Sequence, residues 1–508
     1  MAEAGAPRFR GTRKETVGLV VGPLLFLLVL AIPPPASMVD AASIAGQPPW
    51  APQVALGTLL WVLAWWLTEC VPLGIAALVA PFLLSSTQVV DWRVALTSFT
   101  DPIVWIFLAG FVLAASFRKW DLDRRISVLL ASGYKGENPK VAAFFVACLP
   151  VFFLTLTGSI TASTAVVLPF LVAYMSMIDA KPGSRFSEAS TLALAQAATA
   201  GAMLFLISTA PNLIAKATLA KLPPPDTFDL TFFDWLLIGT PHAVLGLLIS
   251  WNVVFAFIRP EMKRLRVDRE KLAQARRDLG SLSRGEAVVL GLLLLAMSLW
   301  ILPSAVRLLA ESAGGLMGFS DALTGSLPEA APAVLVIILA GLLRVHREPI
   351  LRWKEIAEGV DWNVVFLFGG GIALGIGLEQ SGFARWLGTE VALALGSGAN
   401  AWTIFAVSAG LGFVLSYAAS NTAAALIGCP IAATLAIGAG VSPVGPVLAA
   451  ALACSISSAI PSTTPPMAII YSSGRVRIWN MFRVGMVSDL LRLTALILIG
   501  PFLVGLIA

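Results

Sequence analysis

The chain has 508 residues, of which 58% are hydrophobic and only 12% charged, with a formal net charge of +5. Soluble domains carry about a quarter charged residues, so this composition excludes an ordinary soluble enzyme and specifies an all-α polytopic membrane protein. Its basic residues sit in loops that also carry acids, which marks them as topology signals and not as a nucleic-acid footprint.

In chain order, apolar segments able to cross a bilayer are expected at roughly 17–36, 53–68, 71–87, 102–117, 189–219, 233–257, 286–305, 332–344, 362–379, 444–471 and 486–508, each near the ~20 residues a span needs. The opening MAEAGAPRFRGTRKE has no convincing small-residue cleavage site after it, so residues 1–16 are read as a cytoplasmic tail before an uncleaved span. WWLTECVP (65–72) separates the second and third spans tightly, and its Glu69 reads as structural, with an Arg or backbone partner. Two segments, 141–178 and 401–440, are too long for one crossing. Each is broken near its centre by small polar residues, in TGSITASTAVVLP (157–169) and YAASNTAAALIGCP (417–430).

Loop charges decide how those two segments run. With the N terminus inside, the inside set holds Arg8, Arg10, Arg13, Lys14, Arg118, Lys119, Arg124, Arg125, Lys135, Lys140, Lys181 and Arg185. The linker from Arg259 to Arg284, Arg344, Arg347, Arg352, Lys354, Arg475, Arg477 and Arg483 complete it, while only Arg93, Lys221, Arg307 and Arg385 face outside. This asymmetry holds only if both long segments enter and leave on one side. They are therefore expected to be re-entrant hairpins, with the C terminus outside.

The charged, helix-prone linker 259–285 reads as a solvated cytoplasmic connector or interfacial helix. It divides the chain into a first membrane repeat, 17–258, and a second, 286–508. DPIVWIFLAGFVLAASFRKWDLDRR (101–125) can be laid on DWNVVFLFGGGIALGIGLEQSGFAR (361–385). Each is followed by a broken hairpin, then by a span with a Pro-containing polar break, STAPNLI (208–214) or STTPPMAI (462–469). An odd number of spans per repeat makes the second inverted. Paired interrupted segments in inverted halves point to a transporter binding site.

A non-helical turn at membrane depth leaves backbone groups that cost several kcal/mol each unless buried in protein or facing a watery cavity. Ser-Asn-Thr (420–422), ahead of an Ala-rich helical run, suits the N-cap of a half-helix whose dipole favours an anion. The half-helix that ends there offers carbonyl oxygens suited to a hard cation such as sodium. Ser-Ile-Thr (159–161) pairs with the break at 208–212 in the same way, and Ser-Asn-Thr with the break at 462–466. One Ser/Thr cluster alone is more often a packing device; four at matching repeat positions read as two facing half-sites.

Other chemistry is sparse. Cys70, Cys148, Cys429 and Cys454 have no CxxC spacing and read as buried free thiols. His242 and His346 fall at expected span ends, which argues against a histidine-held metal or heme. An intramembrane enzyme would need a nucleophile with its base or a metal cluster at span depth, and no such pattern stands in the sequence. A channel would be built of pore-lining rings about an axis.

These stretches resemble the divalent anion/sodium symporter family, which carries dicarboxylates, tricarboxylates or sulfate. WWLTECVPLGIAALVAPFLL (65–84) resembles the start of its third span, FLFGGGIALGIGLEQSGF (366–383) its glycine-rich signature, and SNTAAALIGCPIA (420–432) its second hairpin tip. The resemblance implies about eleven spans plus two re-entrant hairpins, a homodimer in the plasma membrane, and a scaffold beside an elevator-type transport domain. It implies no organic cofactor, sodium as coupling ion, and a small divalent anion as substrate. C4-dicarboxylates are favoured, because sulfate carriers of the family often hold large soluble insertions and this chain has none. Sulfate or tricarboxylate carriage, proton coupling, anion exchange and export of arsenite or another anion by the same hairpin architecture remain open alternatives.

Carried over residue by residue, the substrate would meet Ser420, Asn421, Thr422, Thr464 and Pro465 on one side and Ser159, Thr161 and Thr209 on the other. Sodium would use Ser416, Asn421 and backbone near Thr463; a second sodium would use Thr155, Ser159 and backbone near Ser208. Two departures stand out: Ile160 and Met467 occupy positions where the family places Asn. Ile160 cannot coordinate a cation, which weakens the second sodium site. Lys216, a turn after Asn212, is expected either to snorkel to the outer interface or to replace a lost cation charge.

Overall fold

The computed structural model describes residues 13–134, 136–265, 269–313, 317–395 and 400–507. Arg8 and Arg10 of the tail, Lys135 and Arg266 of the linker lie outside the described residues. The first half holds α1 (Arg13–Ala31), α2 (Ala36–Ile44), α3 (Ala51–Thr68), α4 (Leu73–Ala77), α5 (Val79–Ser86), α6 (Trp92–Thr97), α7 (Pro102–Lys119) and α8 (Leu122–Gly133). It continues through α9 (Pro139–Ala143), α10 (Leu149–Leu154), α11 (Ile160–Met177), α12 (Arg185–Gly201), α13 (Ala210–Ala220) and α14 (Phe232–Phe257). After the linker helix α15 (Arg269–Asp278) come α16 (Arg284–Ala313), α17 (Met317–Ser326), α18 (Ala330–Leu342), α19 (Trp353–Gly359), α20 (Trp362–Gln380) and α21 (Phe383–Leu395). The second hairpin is α22 (Ala401–Ala418) and α23 (Asn421–Gly438), followed by α24 (Val444–Cys454), α25 (Pro465–Ser472) and α26 (Ile478–Val504). A short antiparallel pair, β1 (Arg344–Val345) and β2 (Glu348–Pro349), turns between α18 and α19.

Among the described residues, 10 helical segments are long and apolar enough to cross a membrane, or 11 if the bent pair α1–α2 counts as one span. Four of the ten are hairpin arms. The shorter apolar helices are α4–α5, α18 and α24, and the spans expected at 189–219 and 444–471 are the interrupted pairs α12–α13 and α24–α25. The repeat is visible as element order: α7–α8, hairpin, α12–α13, α14 recurs as α20–α21, hairpin, α24–α25, α26.

Compact units follow a different division from the two sequence repeats. One unit is 1–100 with 362–390, and the other is 101–361 with 391–508. In the first, α1 packs along α3, with Phe26 edge-on to Trp61 at 5.8 Å. The glycine-rich signature serves close approach here, since a Cβ at Gly370 would run into the Ala77 carbonyl, which is how α20 lies on α4. Glu69 ends α3 in the left-handed conformation (φ 51°), its main-chain N–H donating to the Trp65 carbonyl and its side chain exposed.

The second unit contains both hairpins and both interrupted spans. Its helices start at side-chain caps: Asp101 on Ile103 N–H for α7, Ser184 on Ser187 N–H for α12, and a reciprocal Thr231–Asp234 box for α14, each satisfying amides that the helix itself leaves free. Buried Glu188 accepts from Arg477 at 2.7 Å and from Asn480 at 2.9 Å, tying the start of α12 to the start of α26. The end of the linker is anchored at 279–281. Arg125 bonds Glu286 at 2.6 Å and also donates to the carbonyls of Leu279, Gly280 and Ser281.

Two expectations need correction. His242 lies inside α14, 6% exposed, not at a span end. Lys216 does not stand in for a cation at a break: its ammonium donates to Asp229 at 2.8 Å and lies 3.0 Å from Glu329, two carboxylates that take up its charge. Cys148, Cys429 and Cys454 are buried free thiols as expected, and Cys70 is half-buried.

Candidate functional site

Both hairpin tips lead into a serine-capped helix. In the first, α10 tightens into a turn over Thr155–Thr157, Gly158 reverses the chain at φ 83°, and Ser159 caps α11 by accepting from Ala162 N–H at 3.1 Å. A Cβ at Gly158 would sit 3.1 Å from Gly110 Cα and 3.3 Å from the Ile207 carbonyl, so this reversal admits only glycine. In the second, Ala419 is extended and Ser420 caps α23 by accepting from Ala423 N–H at 3.3 Å. The serine is the cap in each case, and the following residue, Ile160 or Asn421, opens the helix with its side chain uncommitted to capping.

Opposite each tip lies an unwound stretch, and every buried polar group there needs a partner. In the first break the partners are neutral. Thr155 donates to the Gly201 carbonyl (2.9 Å), Asn212 to those of Ala202 and Phe205 (2.8 and 2.9 Å), Trp235 to Met203 (3.0 Å) and Thr240 to Leu204 (3.1 Å). Ser208 Oγ accepts from Phe205 N–H at 3.2 Å. Asn212 Oδ1 stays buried with no hydrogen-bond partner.

The second break is held by charge. Asp489 accepts from Ser458 N–H (2.6 Å), Ser458 Oγ (2.5 Å) and Tyr417 OH (2.6 Å). Arg492 donates to the Ile456 carbonyl at 3.3 Å and to Thr199 Oγ1 at 2.9 Å. Ser457 Oγ sits 3.4 Å from the Ser416 carbonyl and 3.3 Å from Asn421 Oδ1, which gathers hydroxyl, carbonyl and carboxamide oxygens at one point. The hydroxyls of Ser455 and Thr464 are buried and have no hydrogen-bond partner.

The two halves interlock through α11 on α25 and α13 on α23 and α24, and within the first half the 155–157 turn packs on 206–208. Of the cation candidates, Thr155, Ser208, Ser416, Thr463 and Asn421 are buried and Ser159 is half-buried. Of the substrate candidates, Thr161 and Pro465 are exposed and Ser420 and Thr422 half-buried, so burial does not cleanly separate the two roles. Thr209 and Thr464 are buried N-caps of α13 and α25 without a side-chain cap bond. Thr463 donates its hydroxyl proton to the Ile460 carbonyl at 2.8 Å. The helices after the breaks differ at their starts: α13 carries Pro211 at its second residue, while α25 opens on Pro465–Pro466 and offers no N–H before Met467.

Tyr417, Ser457, Ser458, Asp489 and Arg492 are residues around the second break that motif reasoning does not reach, whereas Asn212 lies in the STAPNLI motif. The available signal is SDLLRL (488–493), an acid and a base three apart inside an apolar span, since ionisable side chains at that depth are rare and functional.

Re-entrant hairpins capped by serine, facing interrupted spans in an inverted repeat, define a membrane transporter. The model of the sodium:sulfate symporter transmembrane region matches residues 13–506, and the chain belongs to that family. It is 29% identical over 503 residues to the sodium-dependent dicarboxylate transporter SdcS of Staphylococcus saprophyticus, covering 96% of this chain and 91% of that one. It is 28% identical over 494 residues to SdcS of Staphylococcus aureus, covering 96% and 90%. Among solved structures, MtrF of Neisseria gonorrhoeae, assigned to a class of antimetabolite efflux pumps, shares the fold at TM-score 0.55 and 14% identity, covering 97% of this chain and 95% of that one.

Proposed function

We propose that this protein is a sodium-coupled carrier of small divalent anions, C4-dicarboxylates foremost, working by alternating access in the plasma membrane. The observation that carries this reading is the oxygen cluster of the second half-site, where Ser416, Asn421 and Ser457 converge behind a capped helix start. Uncharged oxygens at that spacing suit a hard monovalent cation. The SdcS relatives, named as sodium-dependent dicarboxylate transporters, support the same assignment.

In this reading Ser420, Asn421, Thr422, Thr464 and Pro465 meet one carboxylate, and Ser159, Thr161 and Thr209 the other. Each carboxylate sits beyond a helix N-terminus, where the backbone dipole and unpaired amides favour negative charge. Sodium binds first, between Ser416, Asn421 and the backbone near Thr463, and its charge offsets the cost of bringing a dianion to membrane depth. The counterpart formed by Thr155, Ser159 and Ser208 lacks a carboxamide at Ile160 and contributes little cation binding. The protein works as a homodimer, with an elevator-type transport domain moving against a scaffold, the N terminus cytoplasmic and the C terminus outside.

A second reading, proton coupling or anion exchange, is favoured by one observation: Ile160 and Met467 remove two carboxamides from the site. Uptake of succinate, citrate and sulfate into proteoliposomes separates the readings, with imposed sodium, potassium-only or proton gradients. Succinate accumulation driven by sodium supports the first reading; equal uptake in potassium alone discards it.

A further inference from the structure

Asp489 and Arg492 stand three residues apart in the 27-residue helix α26, 0% and 3% exposed. Ionisable groups at this depth are expensive and persist where they hold something in place. Asp489 takes all three of its hydrogen bonds from the two elements that make the second half-site. Tyr417 follows Ser416 in the last turn of α22, and Ser458 follows Ser457 in the break. Ser457 in turn reaches the Ser416 carbonyl and Asn421 Oδ1. One carboxylate therefore fixes the distance between hairpin tip and break. Arg492 fastens the break further upstream, at Ile456, to Thr199 of α12, and balances the charge.

Among the described residues the first half has no equivalent charged clamp; its tip reaches the end of α12 through Thr155, which donates to the Gly201 carbonyl. The repeat counterpart of α26 is α14, whose Trp235 and Thr240 hold the first break by neutral bonds to carbonyls and make no link to the hairpin tip.

We propose that Asp489 is a positioning residue for the coupling cation, keeping Ser416, Asn421 and Ser457 at the spacing that lets their oxygens converge on one ion. This rests on the sodium-coupled reading above. Partners that orient the ligands of a metal ion cost about 10–100-fold in affinity when removed. A merely structural strut would lower stability at every sodium concentration and leave the half-saturation point where it was.

The test uses the full-length protein, with sodium chloride titrated against potassium chloride at constant ionic strength. The thermal unfolding midpoint is followed in detergent, and succinate uptake in proteoliposomes. Asp489→Asn should raise the sodium half-saturation at least about 10-fold in both measurements, with the succinate KM at saturating sodium unchanged within about twofold. Tyr417→Phe, which leaves both buried charges in place and deletes one bond, should raise it about threefold. That variant decides alone if Asp489→Asn does not fold. Folded variants with the wild-type sodium half-saturation overturn the inference and leave the coupling reading intact. A wild-type protein whose midpoint and uptake ignore sodium overturns both.

Discussion

The two half-sites share a backbone plan and differ in how their polar stretches are restrained. Each places one asparagine at the site, but in different positions: Asn212 just after the first break, Asn421 at the second tip. Their repeat counterparts are Met467 and Ile160. Asn212 spends its amide on two carbonyls of its own break, whereas Asn421 faces Ser457 across the half-site. With Met467 unable to hold the second break, Asp489 and Arg492 do so from α26. Matching sequence slots thus hold structure in one half and, in the proposed site, offer ligand oxygens in the other, and the pair is asymmetric although the fold repeats.

The largest test of this asymmetry is Asn421→Ala. It should reduce succinate and sulfate uptake at least about 100-fold, the upper range for loss of a site oxygen and its supports; near-normal uptake of both anions would falsify the assignment of the second half-site. Next comes Arg492→Met, which leaves Asp489 buried without its neighbouring countercharge. A loss of about 3–5 kcal/mol is expected for such an orphaned charge, seen as a strongly lowered unfolding midpoint. A midpoint within a degree of wild type would show that the charged clamp carries little. Ile160→Asn returns a carboxamide to the first tip and should steepen the dependence of uptake on sodium concentration. If the curve keeps its shape, the first half-site lacks more than that one oxygen.

Smaller effects are expected from neutral partners. Thr240→Val removes one hydrogen bond to the Leu204 carbonyl and should cost about 1 kcal/mol, with sodium dependence unaltered. A stability loss equal to that of Arg492→Met would erase the distinction between the two clamps. Lys216→Gln should leave sodium half-saturation unchanged, because Asp229 and Glu329 absorb that charge at the far end of α13. A raised half-saturation would return the lysine to the cation site.

Much of this architecture is legible in the sequence because it depends on local signals. Hydropathy and loop charge locate the spans, and excess length with central Gly, Ser and Thr locates the hairpins. The prolines at 211, 465 and 466 locate the restarts after the breaks. The serine caps follow from ordinary helix-start chemistry. Tyr417, Ser458 and Asp489 are hidden because they meet only through packing of α22, α24 and α26, across separations that no periodicity encodes. His242 is hidden for a related reason: nothing in TPHAV (240–244) distinguishes a histidine within a long span from one at its rim. The division into compact units is equally tertiary, since α20 and α21 join the first hundred residues despite belonging to the second repeat.

The consecutive prolines that open α25 carry a consequence for orientation. A carboxylate lodged at the start of α13 finds main-chain amides on either side of Pro211, while one at α25 finds an imino pair and must rely on neighbouring hydroxyls and the ion. In the proposed site the two ends of an unsymmetrical diacid would then be gripped by chemically different hands. A carrier assembled from near-duplicate halves would for that reason take such a molecule one way round.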